Sequence, residues 1–263
     1  MLGGLLKKTE PYVSSDTDYI GITTISFYHP AQNSLPANLL HQLAEAINFA
    51  GTNAETKVIV LKSDGDHAFC AGASFDELLQ LETKEQGRDF FMGFANIINE
   101  CRKCPKIIIG RVYGKVIGGG VGIAAACDYC LATQNAEIKQ SELSIGIGPL
   151  VVGPAIIRKI GLNAFSRLSL NATDYYSALW AKDKGLYAEV YERRKDMDKA
   201  VEVLAAKIAG WNPDALAVHK KTLWEGTENW DTLLAERAAI NGELVLSPLA
   251  QSIIRNIKTG VKK

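Results

Sequence analysis

The chain has 263 residues, 47% of them hydrophobic, and its 29 Lys and Arg balance 29 Asp and Glu. That length can bury a large core, and the neutral balance leaves no global field to recruit nucleic acid or an anionic membrane. No run of 18 apolar residues suits a membrane span, and residues 1–12 (MLGGLLKKTEPY) hold too short an apolar stretch for a secretory signal, so a soluble, cytoplasmic protein is expected.

The first candidate strand is Tyr19 to Tyr28, rich in Ile, Thr and aromatics. Leu39, Leu40, Leu43, Ala46 and Ile47 recur at helical spacing and predict a helix from Pro36 to Ala50. Val58 to Leu61 is a continuous apolar run of the kind a buried parallel strand carries. A loop from Ser63 to Ser74 (SDGDHAFCAGAS) follows, then helical stretches at 75–81 and 90–101, the second ended by Pro105. Ile107 to Val112 predicts a strand that enters the cluster Gly118-Gly119-Gly120-Val121-Gly122. A small-residue helix over Ile123 to Cys127 and a strand over Tyr129 to Ala132 come next. Strands alternating with helices predict an α/β architecture with mostly parallel pairing. After Pro149 the pattern turns helical, over 154–170, 174–184, 196–209, 213–225 and 230–258.

Five cysteines without a secretion signal argue against a disulfide framework. Cys101/Cys104 and Cys127/Cys130 form two CxxC pairs at a separation close to that of zinc ribbons. The segment between them is an apolar strand and a glycine turn, not a polar knuckle, so buried, inert thiols are expected and no metal.

Three features fall on strand–helix junctions: Phe69 to Phe75 (FCAGASF), the glycine cluster, and Glu142 followed by Gly146 and Pro149. Small residues at such a turn can serve close packing alone, and a lone Glu is usually a solvated surface residue. Taken together, two turns can each offer a backbone N–H to one point, with the positive end of a helix dipole behind the second. Two donors at one point make an oxyanion hole, and a nearby carboxylate supplies the proton transfer that enolate chemistry requires.

These residues, in this order, resemble the crotonase superfamily, the enoyl-CoA hydratase/isomerase group, over nearly the whole chain. The resemblance rests on Asn33-Ser34-Leu35 after His29-Pro30, on Ala68 to Ala73, and on Gly114 to Asp128. It extends to Glu142-x3-Gly146-x2-Pro149 and to Ala178 to Leu186. It implies a crotonase-like spiral of ββα units over residues 1–195 and a C-terminal helical oligomerisation region over 196–263, building a homotrimer or a dimer of trimers. It implies an acyl-CoA thioester as substrate, with the CoA belonging to the substrate and no further cofactor. The backbone N–H groups of Ala73 and Gly119 would form the oxyanion hole, and Glu142 would be the catalytic acid/base. Substrate or CoA contacts would come from Ala71, Gly72, Ser74, Phe75, Gly118, Gly120, Gly122 and Pro149. Residues 82–94, read as a loop, and the segment after Pro149 would line the acyl pocket.

Hydratases of this family resemble one another in carrying a second glutamate on the glycine helix. That position is Gly122 here. One carboxylate suffices for a 1,3-proton shift, whereas water addition divides its labour between two groups. The departure shifts the expectation toward double-bond isomerisation. Hydration, including that of a branched, methylglutaconyl-CoA-like substrate, and acyl-CoA decarboxylation stay open, as does a non-catalytic CoA-binding relative. The absent side chain at Gly122 is expected to leave room for a bulky acyl group. Ser74 and Asp76 also depart from the Asp and Lys common at those positions in the family.

Gly120-x-Gly122-x-x-Ala125 also satisfies a loosened dinucleotide-binding pattern, but its helix is short and Glu142 does not end the following strand. A serine hydrolase lacks its G-x-S-x-G elbow, and His29, His41, His67 and His219 stand near no candidate serine. No basic–aromatic patch supports RNA binding.

Overall fold

The computed structural model describes residues 10–260, so the expectation about a leader, which rests largely on residues 1–9, lies outside the described residues. The chain opens with β1 (Tyr12–Thr17), β2 (Ile22–Tyr28), β3 (Ser34–Leu35) and α1 (Ala37–Thr52). Then follow β4 (Val58–Ser63), β5 (Ala68–Cys70), β6 (Gly72–Ala73), α2 (Phe75–Leu78) and α3 (Lys84–Lys103). The glycine-rich unit comprises β7 (Ile107–Val112), β8 (Lys115–Ile117) and α4 (Gly119–Ala126). After it come β9 (Tyr129–Thr133), β10 (Ile138–Lys139), a 3-10 turn at Glu142–Ile145, α5 (Gly153–Leu170), α6 (Ala178–Asp183) and β11 (Glu189–Tyr191). Four helices close the chain: α7 (Arg194–Ala209), α8 (Pro213–Leu223), α9 (Trp230–Leu244) and α10 (Pro248–Thr259).

A six-stranded sheet runs in the order β1-β2-β4-β7-β9-β11, parallel except for the β1–β2 hairpin. A smaller sheet, β10-β8-β5, and the pair β3-β6 are parallel too. Successive turns of chain place one strand in the large sheet and one in a small sheet before a helix returns, which is the ββα spiral. The apolar run of β4 divides between two cores by strand alternation. Ile59 and Leu61 join the core beneath α1, α3 and α4, while Val58 and Val60 meet Met197 and Val201 of α7 on the other face.

Several boundaries differ from expectation, each for a local reason. The strand predicted from Tyr19 begins only at Ile22, because the Asp18 carboxylate accepts from the N–H groups of Ile20 and Ile22 and closes a turn. Tyr19 is exposed, and β1, absent from the sequence reading, pairs across that turn. The predicted loop Ser63–Ser74 holds β5 and β6. The helix expected over 75–81 stops at Leu78, and the one expected from 90 starts at Lys84, where Thr83 and Gln86 form a capping box. The segment 154–170 is kinked at Gly161, and 174–184 is helical only from Ala178. The stretch 230–258 is two helices divided at Ser247, whose side chain caps Ala250 N–H just before Pro248. β11 was also missed.

The last helices pack on the chain's own core. α9 crosses α3 so closely that a Cβ on Gly87 would lie 2.6 Å from Gly242 O. Leu234 and Ala238 are buried there, whereas Ile240 and Leu244 stay exposed. α8 is tied down by a buried ion pair, Lys220 Nζ to Asp128 Oδ2 at 2.8 Å, and Trp224 Nε1 donates to Asp128 Oδ1 at 3.0 Å. All five thiols are buried and unbridged. Burial pushes the Cys70 thiol up to about 12 and raises Cys101 and Cys104 as well. Among the described residues, no cluster of three or more His, Cys, Asp or Glu side chains could hold a metal, and no helix is long and apolar enough to cross a membrane.

Candidate active site

The first wall of the site is fixed from a distance. Asn33, buried and in a left-handed backbone conformation, donates through Nδ2 to the carbonyls of Asp64 (2.9 Å) and Ala68 (2.8 Å). Its own carbonyl accepts from Ala71 N–H, and Ser34–Leu35 pair with Gly72–Ala73. The early Asn33-Ser34-Leu35 motif thereby sets where Ala71 to Ala73 stand.

The second wall is the start of α4. Gly118 takes φ 54° and ψ −120°, a left-handed conformation that a β-carbon would strain, and Gly119 is the first helical residue. The two walls touch: a Cβ on Gly72 would lie 3.6 Å from Gly119 N. The remaining glycines are there for close approach. A Cβ on Gly119 would fall 2.2 Å from the Phe94 ring, and one on Gly120 would fall 2.7 Å from Cys70 Cβ.

Glu142 lies against Gly118, whose absent Cβ would be 3.2 Å from Glu142 Oε1. Gln140 Nε2 donates to the same oxygen at 2.8 Å. Glu142 Oε2 is buried and has no hydrogen-bond partner. Burial pushes the Glu142 carboxyl up to about 7, partly opposed by hydrogen bonds from its own backbone and from Gln140. Such a carboxyl changes protonation near neutral pH, as a general acid/base requires.

A cavity of about 260 Å³ opens on these groups. Its lining brings together Ala71, Gly72, Ala73, Phe75, Gly118, Gly119, Glu142 and Pro149 from the sequence-derived set. Leu150, Val151 and Val152 supply the expected wall after Pro149; the expected wall within 82–94 is Phe91 and Phe94, carried on helix α3 and not on a loop. Ser74, Gly120 and Gly122 are not among the lining residues. Ser74 precedes α2 and donates its N–H to Leu35 O. Asp76 is ion-paired with Lys258 of α10.

Gly122 does not leave room for a bulky acyl group. A Cβ there would lie 2.5 Å from both Cβ and Cγ1 of Val152, so that space is already filled. Sequence reasoning missed Gln140, Asn241 and Ile257. Gln140 stands two residues before Glu142 and could have been suspected; Asn241 and Ile257 reach the cavity from α9 and α10 and carry no local signal.

A family model described as enoyl-CoA hydratase/isomerase matches residues 17–257. The chain is 30% identical over 215 residues to a short-chain-enoyl-CoA hydratase of Clostridium acetobutylicum, covering 81% of each. It is 29% identical over 211 residues to a peroxisomal Δ(3,5)-Δ(2,4)-dienoyl-CoA isomerase of Arabidopsis thaliana, covering 74% of each. In fold it is similar to an enoyl-CoA hydratase from Bacillus halodurans, with a TM-score of 0.85 at 22% identity over 93% of this chain and 99% of that one.

Proposed function

The chain belongs to the enoyl-CoA hydratase/isomerase family of enzymes, and on that premise we propose that it moves the double bond of an enoyl-CoA thioester, with Glu142 as its acid/base. The thioester oxygen is received by the backbone N–H groups of Ala73 and Gly119, at the positive end of the α4 dipole. Glu142 removes a proton from the carbon chain, the negative charge is held as the thioester enolate, and the same carboxyl returns the proton two carbons away. A carboxyl of pKa about 7 suits both halves of that transfer.

The observation that carries the preference for isomerisation is the Gly122–Val152 contact: the place for a second carboxylate is filled by a valine side chain. The relatives include both a hydratase and an isomerase, so the test is a panel of acyl-CoAs scored separately for hydration, 2,3/3,4-isomerisation and decarboxylation. Isomerised thioester as the main product supports this reading, and 3-hydroxyacyl-CoA as the main product overturns it.

The same reading includes a homotrimer, or two trimers paired, with residues 1–195 as catalytic core and 196–263 as assembly region. Exposed Trp211, Val218, Ile240, Leu244 and Leu249 in that region support it, and light scattering tests it. Its place is proposed to be the cytoplasm.

A further inference from the structure

Among the described residues that line the cavity, Lys139 is the one cation. It is carried on β10 opposite Ile117 of β8, and Lys115 stands two residues before Ile117, on the same face of that strand. The two ammonium groups meet over one ring: Lys139 Nζ lies 4.6 Å and Lys115 Nζ 4.5 Å from the centroid of Tyr175. They therefore stand within a salt-screening length of about 10 Å of each other and repel. Among the described residues neither is ion-paired with a carboxylate. The ring attracts each cation through its face but carries no net charge, so the pair has no counter-ion.

Lys115 and Tyr175 are exposed and Lys139 is half-buried, so the pair joins the cavity wall to the outer surface. The cavity, about 260 Å³, is of a size for an acyl group, and the carrier that bears the thioester has to continue outside it. Lys115 precedes Gly119 by four residues, a span of at most about 14 Å. That is within reach of a pantetheine arm whose thioester is at Gly119. The start of α2 is the wrong place for the carrier's negative charge. Position 76, where the family commonly carries Lys, is Asp here; Glu77 follows it, and Asp76 is ion-paired with Lys258.

Resting on the acyl-CoA reading above, we propose that Lys115 and Lys139, gathered on Tyr175, receive a phosphate of the substrate's pantetheine-bearing carrier. Two flexible ammonium groups that repel each other gain a shared counter-ion when a phosphate enters between them. Coenzyme A bears such a phosphate, and so does a phosphopantetheine arm attached to a carrier protein. The solvent-facing position of the pair assigns the anion to the carrier and not to the acyl chain.

The test is calorimetry on the full chain with saturated thioesters, which bind without reacting: butyryl-pantetheine, butyryl-phosphopantetheine and butyryl-CoA. The wild type is expected to hold butyryl-CoA at least tenfold more tightly than butyryl-pantetheine. Replacing both lysines, Lys115→Met with Lys139→Met, is expected to bring that ratio to within about twofold, while Lys258→Met leaves it near the wild-type value. A gain already present with butyryl-phosphopantetheine assigns the site to the arm's own phosphate, the one a carrier protein shares. A gain that appears only with butyryl-CoA assigns it to the nucleotide. A ratio unchanged in the double variant overturns the proposal, and so does a ratio lost in Lys258→Met alone. Glutaryl-CoA against hexanoyl-CoA tests the acyl end: a glutaryl preference that the double variant abolishes, with the phosphate ratio unmoved, also overturns it. If no thioester binds the wild type, the acyl-CoA reading falls, an outcome distinct from thioesters that bind without regard to phosphate.

Discussion

Val152 occupies the space that any side chain at position 122 would need: a Cβ on Gly122 would lie 2.5 Å from Val152 Cβ. Gly122 is on α4 and Val152 follows the Pro149 turn, so the contact joins the glycine helix to the loop below Glu142. Glu142 is the carboxylate in the cavity lining, and a side chain at 122 would have to displace Val152.

Gly122→Glu alone is expected to destabilise the fold by about 1–3 kcal/mol, the usual cost of overpacking. Pairing it with Val152→Ala is expected to restore most of that loss and to raise the ratio of hydrated to isomerised product. Denaturant melts and product analysis check both parts. A double variant that folds with an unchanged product ratio would detach reaction choice from this position.

The pH dependence follows from the Glu142 carboxyl, whose pKa rises from 4.5 to about 7 on folding. The folded protein holds that proton more tightly than the unfolded chain, so this contribution to stability is fully present below pH 4.5 and is lost as pH rises through 7. Its size is on the order of 3 kcal/mol, because each tenfold gain in proton affinity is worth about 1.4 kcal/mol. Wild type should lose stability relative to Glu142→Gln between about pH 4.5 and pH 7, measured by thermal melts. Turnover that needs the ionised base should show an acidic limb near pH 7.

Gln140 donates to the Glu142 carboxylate. Its hydrogen bond favours the charged form, so Gln140→Leu should move the acidic limb to higher pH and lower kcat more than it changes KM. A limb that stays in place would reduce Gln140 to a packing role.

Much of this site was legible because its signals are local. The apolar run of β7 and the small residues of α4 occur in sequence where they act; β7 forms over the expected residues, and the small-residue helix forms too, starting earlier, at Gly119 within the glycine cluster. The two- and three-residue strands β5 and β6 carry no period to read; hydrogen bonds from Asn33, more than thirty residues earlier, hold their segment in place. The space at Gly122 was misread because the atom that fills it comes from thirty residues later. Periodicity alone carried the helix of 230–258 through Ser247-Pro248, although that pair is a start signal visible in the sequence.

The buried pair Lys220–Asp128 anchors the C-terminal helices. Lys220→Met removes one partner and leaves Asp128 charged in the interior, with the N–H groups of Trp224 and Ile108 still donating to it. A loss of about 3 kcal/mol in denaturant unfolding is expected, the lower range for breaking a buried ion pair. A loss below about 1 kcal/mol would place the anchoring in the apolar contacts alone.

The most direct test of the account is Glu142→Gln, which keeps the shape of the side chain and removes its ability to exchange a proton. Turnover of an enoyl-CoA that the wild type converts, and the dissociation constant of a saturated acyl-CoA, are measured on the same preparation. The expected result is loss of turnover with affinity held within a few-fold. A variant that keeps the wild-type rate would contradict the assignment of Glu142.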